Sequence, residues 1–141
     1  MIEIGKFFGW VAVVGYTIAL LGFFSKYINK KYINKFPKNR KTLIIYYRFI
    51  MKYLLKFHRL SGVIASAAVA IHFYIMYNIY GLSIPGFIAA IVMWIVFIFG
   101  IYSFSINKNL RGSWVKTHRI LAFILIILII FHVLFKRSFI L

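Results

Sequence analysis

Four stretches of this chain are apolar for about as long as a bilayer is thick. They cover residues 7–25, 57–77, 84–106 and 115–135. A helix needs about 20 such residues to cross the hydrocarbon layer. The chain is 64% hydrophobic and 21% aromatic, leaving too little polar surface to cover a water-soluble core. These features predict an all-α fold, an integral membrane bundle of four helices in one domain. The first stretch has no small-residue cleavage site, so it reads as a retained helix.

The charges are as uneven as the hydropathy. Net charge is +17, and Glu3 is the only acidic residue. Eleven of the 18 Lys and Arg fall between Lys26 and Arg59. Lys108, Arg111, Lys116 and Arg119 surround the third connection, whereas residues 78–83 carry no charge. Cations concentrated on alternate connections follow the positive-inside rule. The segments 26–56 and 107–114 are therefore expected in the cytoplasm, with both termini outside a bacterial cytoplasmic membrane. The basic residues read as topology signals and anionic-lipid contacts, and nucleic acid is not an expected partner.

Within the basic segment, YINK occurs twice, at 27–30 and 32–35, and Pro37 ends any local helix. Residues 42–56 are amphipathic, with Arg48, Lys52 and Lys56 four apart. They read either as an interfacial helix or as an extension of the second span. Gly9, Gly15 and Gly22 mark the first span for close contact with a neighbour.

The ionisable residues inside the spans are the sharpest signal. His58 and His72 are 14 residues apart, and so are His118 and His132. Fourteen residues is close to four turns, so the two members of a pair share a face, about 21 Å apart along the axis. Lys56-x-His58-Arg59-Leu60 recurs as Lys116-x-His118-Arg119-Ile120, an internal repeat with an offset of 60. One hairpin separates the second and fourth spans, so they run parallel. His58 then shares a depth with His118, and His72 with His132.

An ionisable residue is costly at that depth and is usually functional there. Two level histidine pairs predict two non-covalent b-type haems, an inner one on His58 and His118 and an outer one on His72 and His132. Single membrane histidines are often packed, hydrogen-bonded residues, but four at equal spacing fit that reading poorly. Zinc would want ligands a turn apart and a thiolate or carboxylate nearby. The chain has no cysteine, which excludes covalent c-type haem and iron–sulfur clusters.

Lys56, Arg59, Lys116 and Arg119 are candidates for the inner haem propionates, and Lys136 and Arg137 for the outer ones. Gly86 and Gly100, again 14 apart, are candidates for admitting a porphyrin face. No residue is singled out as catalytic.

The His-x13-His helices, the glycine pair between them and the four spans resemble the haem-bearing bundle of cytochrome b from quinol-oxidising bc-type complexes. The His-Arg at each inner position is similar to the ferric reductase and NADPH oxidase transmembrane domain. The resemblance covers residues 57–135. It implies a di-haem membrane cytochrome working with a quinone or a redox protein, and it leaves oligomeric state open. The Pro-Glu-Trp-Tyr quinone motif of the bc-type proteins is absent. The expected activity is electron transfer across the membrane. Its rivals are a terminal reductase acting on an external acceptor, and a non-redox membrane anchor.

Overall fold

A span with no proline beyond its first turn can run as one uninterrupted helix. The computed structural model, described here over residues 1–105 and 112–135, contains four such helices. They are α1 (Ile2–Lys31), α2 (Lys41–Tyr80), α3 (Ile84–Ser105) and α4 (Ser113–Phe135). All four are long and apolar enough to cross a membrane, and there is no strand among the described residues. The chain is an all-α membrane bundle.

The helix ends follow local chemistry. Glu3 in the first turn of α1 and Lys30 and Lys31 in its last turn complement the helix dipole. Pro37 is extended (ψ 154°) and separates two short 3-10 turns, Ile33–Lys35 and Lys38–Arg40. Gly81 closes α2 at φ 83°, its N–H donating to the Tyr77 carbonyl at 2.9 Å. Only glycine adopts that backbone cheaply. Pro85 falls in the first turn of α3, where its missing N–H costs nothing.

Two helices exceed their expected bounds. α1 begins at Ile2 and runs to Lys31 rather than covering 7–25. α2 begins at Lys41, so residues 42–56 continue the second span without a break. Of the two readings of that amphipathic stretch, the extension is the one observed. Nothing between 42 and 56 is proline or glycine, so no residue there interrupts the helix. Lys108, Arg111, Lys136 and Arg137 lie outside the described residues.

The chain divides into two compact units, Val11–Ala65 and Met1–Trp10 with Ser66–Leu141. In the first, α1 and α2 meet through small residues. A Cβ on Gly15 would stand 3.1 Å from the Ser61 carbonyl oxygen and 3.2 Å from the Ala65 Cβ. Ala12, Ala19, Ser61 and Ala65 are buried beside it. Close backbone approach of this kind holds membrane helices together where no hydrophobic drive exists. In the second unit α3 packs on α4, with Ala89, Met93, Val96, Val115 and Leu125 buried. Polar side chains within the helices turn back on their own backbone. Thr17 donates to the Val13 carbonyl, Asn78 to that of Tyr74 and Thr117 to that of Ser113.

Candidate functional site: histidines seated on helix backbone

Each span histidine meets the helix that runs antiparallel to its own. His58 Nδ1 donates to the Ala19 carbonyl at 2.9 Å. His72 Nδ1 donates to the Gly5 carbonyl at 2.8 Å, and His118 Nδ1 to that of Val96 at 3.0 Å. A carbonyl can only accept, so the hydrogen sits on Nδ1 in all three. In the neutral ring Nε2 then carries the lone pair. A second-shell bond of this type orients a histidine for metal binding and raises the basicity of its other nitrogen.

The bonds share one register. Gly5 and Ala19 are 14 residues apart on α1, as His72 and His58 are on α2. On an antiparallel pair, equal steps in opposite directions keep the partners level.

Glycines form the second part of the seat. A Cβ on Gly9 would fall 3.0 Å from both Cε1 and Nδ1 of His72. A Cβ on Gly86 would fall 2.8 Å from Cε1 and 3.0 Å from Nδ1 of His132. Each imidazole thus rests where an alanine methyl would be. Contacts at the other two histidines are ordinary. A Cβ on Gly100 would lie 3.7 Å from His118 Cε1, and one on Gly22 would lie 3.9 Å from His58 Cβ.

His72 and His132 come together within one unit. Their ring centroids are 6.2 Å apart and the planes are nearly perpendicular, at 82°. Both side chains are half-buried. Phe73 packs beside this site against Phe87 and Tyr77, at 6.0 Å and 6.1 Å between centroids. His58 and His118 belong to different units, and each is half-buried with Nδ1 on a backbone carbonyl.

The basic residues flanking His58 and His118 take a different position. Lys56 and Arg59 are exposed on α2, as are Lys116 and Arg119 on α4. Trp114 stands one turn from His118 on α4, its ring edge-on to Tyr102 at 6.0 Å. No group of three or more His, Cys, Asp or Glu side chains is gathered among the described residues. Among the described residues the two imidazoles of the His72–His132 site are joined by no third such side chain, two short of the four donors of a tetrahedral zinc centre.

Sequence reasoning missed the carbonyls of Gly5, Ala19 and Val96, because every residue offers a carbonyl. It took Gly9 and Gly22 only as packing residues. A signal was present. Ala19 to Val96 is a step of 77, and Gly9 to Gly86 is also 77. α1–α2 and α3–α4 are two copies of one hairpin, and the surplus of 77 over the 60 separating the histidines lies in the basic connection.

No protein family, curated protein or solved structure matches this chain.

Proposed function

We propose that the chain is a di-haem b-type cytochrome that carries electrons between the two faces of a bilayer. The observation that carries this reading is the 6.2 Å between the His72 and His132 ring centroids. A ring centre would stand about 3 Å from a metal it binds, a metal–nitrogen bond of about 2 Å plus roughly 1 Å within the ring, so a 6.2 Å separation leaves room for one ion shared by both imidazoles. Both rings rest on glycine, and the Nδ1 of His72 is engaged by a carbonyl, which leaves its Nε2 for the metal. Two protein ligands suit a macrocycle that brings four of its own. A haem held by two imidazoles supplies one-electron transfer and has no open coordination position.

The residues of the chain bind and orient. His72 and His132 would hold the outer haem, and the sequence repeat makes His58 and His118 the candidates for the inner one. The Ala19, Gly5 and Val96 carbonyls hold the rings of His58, His72 and His118 in one tautomer. Arg59 and Arg119, with Lys56 and Lys116, are the cations that anionic propionates would need beside His58 and His118. The positive-inside rule sets the basic end in the cytoplasm of a bacterium, with both termini outside. A quinol or a reductase serves as donor.

The test is the reduced-minus-oxidised absorption spectrum with a haem count per chain. Two b haems are expected, falling to one in His72→Ala and in His132→Ala. A folded, haem-supplied preparation without haem would overturn the reading and leave the histidines as packing residues.

A further inference from the structure

Length comes first. α3 and α4 have 22 and 23 residues, about 34 Å of helix, close to the bilayer requirement. α2 has 40 residues, about 60 Å. The Lys-x-His-Arg repeat marks equivalent positions on α2 and α4. α4 begins only five residues before His118, at Ser113, whereas α2 begins 17 residues before His58, at Lys41. α2 therefore continues about 25 Å beyond His58. The headgroup layer occupies only about 5–8 Å of that.

One face of this extension is already covered. Ile44, Tyr47, Met51, Leu54 and Leu55 are half-buried at helical spacing. Tyr47 donates its hydroxyl to the Ser25 carbonyl at 2.8 Å, and Arg48 donates to Asn34 Oδ1 at 3.2 Å, tying the extension to the end of α1. The opposite face is as apolar but open. Ile45, Tyr46, Phe49, Ile50 and Tyr53 line it, with Tyr46 67% and Ile45 59% exposed. Phe49 and Tyr53 pack on each other, with centroids 4.8 Å apart. A contiguous aromatic face in water marks an interaction surface.

Charge selects the occupant. Lys41, Lys52 and Lys56 run along one flank of this face, and no acidic residue lies anywhere in 26–59. A second copy would bring the same cations and be repelled. With His58 at the inner edge of its span, where the repeat with His118 puts it, Ile45 and Tyr46, 13 and 12 residues before it, would stand about 18–20 Å further along the axis, past a headgroup layer of about 5–8 Å.

We propose that this face docks an acidic soluble protein, an electron carrier whose apolar patch sits on Tyr46 and Phe49 with its carboxylates along the Lys41–Lys52–Lys56 flank. Its redox role rests on the cytochrome reading; its docking does not. The chain has no cysteine, so Tyr46→Cys gives one labelling position for a solvent-sensitive fluorophore. The full chain is placed one copy per nanodisc, in neutral and in anionic lipid, and titrated with an acidic flavodoxin. Emission is expected to be water-like in both lipids, to shift blue with flavodoxin, and to revert with salt. Lys41→Glu with Lys52→Glu should weaken that response about tenfold or more. A blue shift from anionic lipid alone would assign the face to the membrane. A shift only in two-copy discs would assign it to self-association, and silence towards flavodoxin would remove the acidic carrier. Each of these overturns the proposal. Haem absorbance in the same discs reports separately on the cytochrome reading.

Discussion

Three of the histidines, His58, His72 and His118, are oriented alike by a backbone carbonyl, yet the four are seated differently. At His72 and His132 the rings press on Gly9 and Gly86, so closely that a methyl there would require the ring to shift. At His118 and His58 the facing glycines, Gly100 and Gly22, stand off at ordinary contact distance. The difference separates two requirements that a glycine pattern alone would merge. Orientation comes from a backbone carbonyl at either level. Tight confinement of the ring occurs only at the His72–His132 level, where a Cβ would displace the ring.

This contrast can be broken in several ways. If the cytochrome proposal holds, replacing a histidine has the largest expected effect. His132→Ala should remove one haem per chain and His118→Ala the other, read as haem content and as loss of one component in a redox titration. Next come the tight seats. Gly86→Ala must displace the His132 ring, and haem affinity at that site should fall by about 10–100-fold, the usual cost of disturbing a ligand's support. Gly9→Ala should act in the same direction through His72.

Gly100→Ala and Gly22→Ala sharpen the comparison by doing little. Both should retain two haems with near-native affinity. If Gly100→Ala lost its haem as readily as Gly86→Ala, the distinction between tight and loose seats would be wrong. The smallest effect lies away from the histidines. Tyr47→Phe removes the hydroxyl bond to Ser25 and should cost about 1 kcal/mol, visible as a slightly lower thermal midpoint with unchanged haem content.

Much of this arrangement was legible in the sequence, for identifiable reasons. Four spans follow from hydrophobic runs, which lipid makes nearly unambiguous. The histidines stand out because an ionisable residue inside such a run is expensive. The helix extents were harder to read. Lys26, Lys30 and Lys31 look like a loop, but lysines leave a helix intact once it has left the hydrocarbon, and α1 runs on to Lys31. The amphipathic stretch 42–56 satisfied an interfacial helix and a continuous one equally well. It is continuous, with no proline or glycine to break it and Tyr47 bonded to the end of α1. Gly86 was noticed for its spacing from Gly100, but that spacing does not distinguish a Cβ contact of 2.8 Å from one of 3.7 Å.

The carbonyl acceptors have a consequence for how such a chain can drift. A main-chain oxygen survives any substitution that leaves the helix intact. Ala19 and Val96 can therefore change identity, within the limits of size, without loosening the imidazoles that lean on them. A single inserted residue is another matter. Placed in α1 between Gly5 and Ala19, it would turn one acceptor about 100° relative to the other and shift it 1.5 Å along the axis. One histidine of α2 would lose its partner while every original side chain remained. The α1–α2 hairpin is thus permissive to spelling and strict about counting, and lineages descended from it should differ far more by replacement than by gaps in this stretch.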